Sequence, residues 1–181
     1  SAHRHISFTA HYTGYIWYQM GISHPAFATA KGKTLAALVH PIESWAEKYV
    51  GGSMRTTLKQ RHTMLDAHLE ELIQQHPDLQ VLEIACGLSP RGWWFRQHHP
   101  NICYRELDLP DMAATKQAAL QQIEPHVDDV LSVDLFTEAF ANVFKVFDPK
   151  RPLVIISEGL INYFEKPLLQ QLIQAIATYG R

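Results

Sequence analysis

From Val81 onward, short apolar runs alternate with helix-period stretches, whereas the first 54 residues hold no apolar period beyond a turn or two. Residues 81–85, 102–107, 127–133 and 153–157 read as strands, with helices starting at Pro90 and spanning 110–122, 137–147 and 167–178. Ser89-Pro90 is a helix-start signal, a side-chain cap followed by a ring that fixes φ for the first turn. Leu153, Val154, Ile155 and Ile156 are apolar on both faces, as parallel strands between helix layers must be. Strand-helix alternation with short links predicts an α/β fold, a Rossmann-like doubly wound parallel sheet.

Ahead of this alternation, Leu58, Leu65, Leu69 and Leu72 recur at helical spacing from Met54 until Pro77-Asp78 stops the run. Arg61 and His62 fall between those apolar positions, so at least one lies near the buried seam. There an unpaired charge is costly, and Arg61 is expected to hold an anion. Residues 1–54 crowd Phe8, Tyr12, Tyr15, Trp17 and Tyr18 into one segment and read as an N-terminal lid or extension, with 55–181 as the core domain. The aromatics either pack the extension down or wall a ligand pocket. Gly51-Gly52-Ser53 marks a hinge or helix boundary.

Composition narrows the class. With 181 residues, 46% of them hydrophobic, the chain can bury a real core. A formal charge of -2 with no run of like charges argues against nucleic acid or an anionic membrane as partner, and leaves a small molecule or a protein. No stretch approaches the roughly 20 apolar residues of a membrane span, and the start lacks the apolar centre of a secretory signal. The compartment implied is cytoplasmic. Cys86 and Cys103 fall inside core elements as small apolar side chains, not as a disulfide, and none of the eleven histidines takes a tight metal-ligand spacing, so no metal is expected. His98 and His99 beside Pro100 read as solvated turn residues.

Ligands of doubly wound sheets sit at the carboxyl ends of the strands. Those ends carry Glu83 to Gly87, then Glu106 and Asp108, then Asp134 and Leu135, then Glu158 and Gly159. An acid about 20 residues beyond the first strand is the spacing by which ribose hydroxyls are held, with Asp108 or Glu106 as the acceptor. A dinucleotide needs the further glycines of G-x-G-x-x-G for its pyrophosphate, and here Leu88, Ser89 and Pro90 follow Gly87. A ligand with ribose and adenine but no phosphate, such as S-adenosylmethionine, needs only close backbone approach, an acid for the ribose and a partner for its amino-acid end.

The stretch from Glu83 to Arg91, Glu-Ile-Ala-Cys-Gly-Leu-Ser-Pro-Arg, resembles the leucine carboxyl methyltransferase family. The likeness continues in Tyr104-Arg-Glu-Leu-Asp-Leu-Pro110 with Lys116, and in Phe147-Asp-Pro-Lys-Arg-Pro152 running into Ser157-Glu-Gly-Leu-Ile-Asn-Tyr163, and covers about Arg61 to the end. That family includes bacterial O-methyltransferases of polyketide pathways. The resemblance implies the methyltransferase form of the fold and S-adenosylmethionine as cofactor. Carried over position by position, it implies that Arg61 pairs with the methionine carboxylate and that Ala85 and Gly87 border the methionine portion, at the end of the strand carrying Glu83. It further implies that Asp108 accepts the ribose hydroxyls, Asp134 and Leu135 contact adenine, and Glu158 reaches the methionine end. Arg91 is either part of that loop's site or a structural bridge to a nearby acid.

The family's loop carries Gly-x-Gly-x-Asp-Thr-Arg, whereas Ala85 here replaces the first glycine and Ser89-Pro90 the Asp-Thr pair. Methyltransferases of this fold have seven strands and four can be placed before Arg181, so the sequence reads as C-terminally incomplete, with Ser1-Ala2 as a cloning remnant. The function implied is methyl transfer to a carboxylate or hydroxyl of a small molecule or protein. A carboxylate acceptor needs no base; a hydroxyl does, and His11, His62 and Tyr163 are candidates by residue type only. The competing readings are a cofactor-binding or interaction module without catalysis and, from another class, a nicotinamide-dependent oxidoreductase.

Overall fold

The computed structural model describes residues 2–50 and 54–158, which divide into two compact units. One comprises the described residues up to Leu72 together with Gly87–Arg91, the other Ile73–Cys86 together with the described residues from Gly92 on.

The first unit is helical. Helices α1 (Ala2–Gln19) and α2 (Ala30–Val50) pack on each other, joined through a short 3-10 turn, Pro25–Phe27. His24 caps that turn by accepting the Ala26 N–H at 3.0 Å. The segment whose apolar pattern shows no period beyond a turn or two thus contains two long helices. The missed signal is composition: Ile16, Trp17 and Phe27 are buried, but the polar and aromatic residues around them blur the apolar stripe. Pro41 lies inside α2, where a sequence reading would end the helix. Helix α3 (Met54–Gln75) follows the expected period and stops before Pro77. The expected hinge at residues 51–53 and the helix at 167–178 lie outside the described residues.

The second unit is built on a four-stranded parallel sheet: β1 (Gln80–Ile84), β2 (Cys103–Asp108), β3 (Leu131–Ser132) and β4 (Leu153–Ile156), in the order β3-β2-β1-β4. The chain steps one way from β1 through β2 to β3, then returns to place β4 on the other side of β1. That reversal is the switch point of a doubly wound sheet. Helices α4 (Arg91–His98) and α5 (Pro110–Ile123) serve the first two crossovers. Leu82, Ile84 and Leu107 project to the opposite face and form a core with Leu135, Phe140, Val143 and Phe147.

Two expected elements shrink. The strand expected over 127–133 pairs only at Leu131 and Ser132, because Val130 gives its N–H to the Gln117 side chain at 2.6 Å instead of to a neighbouring strand. The helix expected over 137–147 is one α-turn, α6 (Phe140–Val143), and a 3-10 turn at Phe144–Val146. The Phe140, Ala141 and Asn142 N–H groups bond three residues back, so the segment tightens while Phe140 and Phe147 still reach the core. The β4 end is locked by Gln80, which donates to the Asp148 carbonyl at 2.8 Å and accepts the Asp148 N–H at 2.7 Å.

Candidate functional site

The carboxyl ends of all four strands share one edge, because every pairing is parallel. The register sets Ile84 level with Leu107 and Asp108 level with Ser132, so Asp108 ends β2 one step beyond the last β1 residue. There the chain leaves β1 through Ala85, which holds a left-handed φ of 52°. A Cβ in that region costs about 1–3 kcal/mol and persists only where the surroundings impose it. Here the restraint is visible, since the Cys86 N–H donates to the Leu107 carbonyl at 3.0 Å. Asp134 follows β3, where its carboxylate accepts the Phe136 N–H at 3.0 Å and closes the turn that carries buried Leu135. Glu158, half-buried, comes two residues after the end of β4.

Of the carboxylates expected on this edge, two are buried and engaged by side chains of the protein itself. Glu83 is buried and accepts the Tyr104 hydroxyl at 2.6 Å. Glu106 is buried between helices, 2.7 Å from the Lys116 ammonium and 3.1 Å from Arg96 Nη2. Arg96 also grips Glu124 through Nε at 3.2 Å and Nη2 at 2.7 Å. Burial alone would raise the Glu106 pKa, but Lys116 and Arg96 hold it below the carboxylate range. Lys116 is raised in turn: burial would lower it, but the charge and hydrogen bond of Glu106 together with the neighbouring Cys86 and Glu83 outweigh that cost. Glu106 and Asp108 are thus held by different kinds of partner. Glu106 is committed to two cations, and Asp108, at the strand end, has Oδ1 on the Leu109 N–H at 2.7 Å. The Cys86 thiol is pushed well above its ordinary pKa by burial, with Glu106, Asp108 and Glu83 adding to the effect and Lys116 opposing it. It stays protonated and is no nucleophile.

This ion cluster was missed in the sequence, although one signal existed. Met112, Ala113, Lys116, Ala119 and Leu120 form the buried stripe of α5, and a lysine inside an apolar stripe calls for a buried acid. Gly92 makes room for it: a Cβ there would stand 2.7 Å from the Glu106 carboxyl carbon and 2.8 Å from Oε2.

The helical unit holds the other expected residues. Gly87 has φ 50°, and an added Cβ would approach the Ala10 Cβ to 3.2 Å. Arg61 is exposed and its neighbour His62 faces inward, so of the two residues expected to place at least one at the seam it is His62 that does so. The buried cation is Arg91, fully enclosed, which bonds Asp66 at 2.5 Å and His62 through Nη2 at 2.9 Å. An arginine can only donate, so His62 Nδ1 accepts, and its Nε2 faces Asp66 Oδ2 at 3.5 Å. Arg91 is therefore the structural bridge to an acid, and His62 is held inside that bridge. His11 is likewise occupied, its Nδ1 2.6 Å from the Thr29 hydroxyl, with its pKa lowered by burial and by Lys31. Tyr163 and Gly159 lie outside the described residues. Among the described residues no group of three or more His, Cys, Asp or Glu could hold a metal ion, and no helix is long and apolar enough to cross a membrane.

A parallel sheet with a switch point, a strained turn after β1 and an acid closing β2 defines the class of α/β proteins that bind nucleoside-containing ligands at the strand ends. Within it, residues 22–177 match the family model described as leucine carboxyl methyltransferase. The chain belongs to that family, whose members are S-adenosylmethionine-dependent methyltransferases. A comparison with curated proteins found no match.

Proposed function

We propose that this chain binds S-adenosylmethionine along the carboxyl edge of its sheet and passes the methyl group to a carboxylate or hydroxyl oxygen of a small molecule or protein. The observation that carries the reading is the division of labour on β2: Glu106 is neutralised in the interior while Asp108 ends the strand beside the strained Ala85 turn. Asp108 is the acceptor for the ribose hydroxyls. Ala85 and Gly87 border the methionine portion, Asp134 and Leu135 the adenine, and Glu158 the ammonium of the amino-acid end. Arg61, exposed on α3, is the one cation assigned to the methionine carboxylate. The residues present suit this cofactor better than a dinucleotide, since in the frame Ala85-x-Gly87-x-x-Pro90 only one of the three glycines that seat a pyrophosphate is present.

When bound, the cofactor supplies an electrophilic methyl on a sulfonium. In the displacement an acceptor oxygen lone pair forms the O–C bond as the C–S bond breaks, so the protein's tasks are alignment and exclusion of water. Neither His62 nor His11 is placed as a free base, one held by Arg91 and the other by Thr29. That favours an acceptor already ionised at neutral pH, a carboxylate. We place the protein in the cytoplasm, with a small-molecule acceptor as its partner and neither nucleic acid nor membrane.

Calorimetric titration tests the cofactor. Heat at micromolar S-adenosylmethionine and S-adenosylhomocysteine, with none from NAD, is the expected outcome, and the reverse would replace the methyltransferase reading with an oxidoreductase. Radiolabelled methyl transfer into panels of carboxylates and phenols then tests catalysis; binding without transfer to any acceptor would indicate an inactive cofactor-binding module.

A further inference from the structure

Side chains alternate along β4, so Leu153, Ile155 and Ser157 lie on one face. The pairing of Glu83 with Ile156 puts Ser157 level with Ile84, on the face that carries Leu82 and Ile84. Leu153 and Ile155 pack against the apolar core there, and the pattern calls for another aliphatic residue at 157. The chain supplies a hydroxyl. Its Oγ is buried and has no hydrogen-bond partner among the described residues, although a buried polar group in a native protein ordinarily has one.

The place matters as much as the deficit. Ser157 follows β4 where the strand order reverses between β1 and β4, which is where ligands of such sheets bind. Across that gap β1 leaves through Ala85 with its left-handed φ of 52°. A strained residue and an unpartnered hydroxyl thus flank the same switch point. The strand order β2-β1-β4 sets the ends of β2 and β4 two strand spacings apart, roughly 10 Å, with Asp108 and Ser157 on opposite faces of the sheet, so a ligand that meets both lies across its carboxyl edge.

We propose that Ser157 is a cofactor-binding residue whose hydroxyl donates to the carboxylate at the amino-acid end of S-adenosylmethionine. The inference rests on the proposed function and adds to it a second anchor for that carboxylate, supplied from the sheet. A hydroxyl can donate one bond and accept two, and a carboxylate satisfies the donor with a charge-assisted bond.

The test uses the full chain and three measurements on wild type, Ser157→Ala and Ser157→Thr. These are calorimetric titration with S-adenosylmethionine, the same with 5′-methylthioadenosine, which keeps the adenosine and lacks the amino-acid end, and thermal unfolding without ligand. Ser157→Ala is expected to bind S-adenosylmethionine about tenfold more weakly, the loss of one hydrogen bond to a charged group, and to bind 5′-methylthioadenosine like wild type. Without ligand it should melt no lower than wild type, because it removes a buried group that has no partner among the described residues. Ser157→Thr, which keeps the hydroxyl, should retain more of the affinity than the alanine variant. Unchanged S-adenosylmethionine affinity in Ser157→Ala, equal losses for both ligands, or an alanine variant that melts lower or does not fold would overturn the inference and leave the cofactor assignment standing. Wild type that fails to bind S-adenosylmethionine would overturn both.

Discussion

The middle of the sheet and its carboxyl edge treat the same residue type in opposite ways. Glu106 and Asp108 stand two positions apart on β2 and so share a face, and both are buried. Glu106 is closed between Lys116 and Arg96 and ties α4 and α5 to the sheet. Asp108 is met at Oδ1 by the neighbouring Leu109 N–H, where the chain turns off the sheet. One carboxylate is a structural part of the interior, and the other is the one proposed to meet the ligand. What separates them is a few ångströms along the strand and the cations that α4 and α5 bring, not the chemistry of the side chain.

The sharpest way to break that comparison is to remove the interior acid. Glu106→Ala leaves Lys116 buried without its counter-charge and should cost about 3–5 kcal/mol in urea unfolding. A loss below 1 kcal/mol would mean the cluster is not structural. The same group sets an acid limit. Its folded pKa lies below the ordinary 4.5, so the stability it contributes is present above that value and is lost as pH falls through the folded one. Wild type should therefore lose stability on acidification below about pH 4.5 more steeply than Glu106→Gln.

Next in size is Gly92→Ala. Its methyl would meet the Glu106 carboxyl at 2.7 Å, so either the Arg96 contact opens or the helix shifts, at about 1–3 kcal/mol by the same measurement. Asp108→Ala moves to the edge and should reverse the pattern. S-adenosylmethionine binding is expected to weaken tenfold or more by calorimetry, about 1.4 kcal/mol, with a smaller change in stability than Glu106→Ala gives. Equal affinity in this variant and wild type would remove the ribose role from Asp108. Smallest is Ala85→Gly, which relieves the left-handed φ against glycine's larger unfolded-state entropy and should raise stability by roughly 0.5–1 kcal/mol. A variant less stable than wild type would show that the Ala85 methyl packs usefully in spite of its backbone.

Much of this was legible before any coordinates. The apolar runs at 81–85, 102–107 and 153–157 and the stop of α3 before Pro77 are local signals that tertiary contacts reinforced. Where the structure differs, a specific contact replaced the regular pattern, as when the Gln117 side chain took the Val130 N–H from a strand or three-residue turns took up 140–146. Arg61 and His62 show a finer limit. Adjacent residues on a helix differ by about 100° of rotation, so a period that is right to within one position still leaves open which of the two faces inward.

The sequence alone determined the alternation of strands and helices, hence the parallel sheet, and the presence of acids where strands end, because those features follow from period and from turn chemistry. Only the tertiary structure decided which acid meets a cation, which arginine is buried and which buried hydroxyls have no partner among the described residues. Each of those depends on groups far apart in the chain, such as Glu106 with Lys116 or Arg91 with Asp66, whose meeting is fixed by packing and leaves no trace in local residue order.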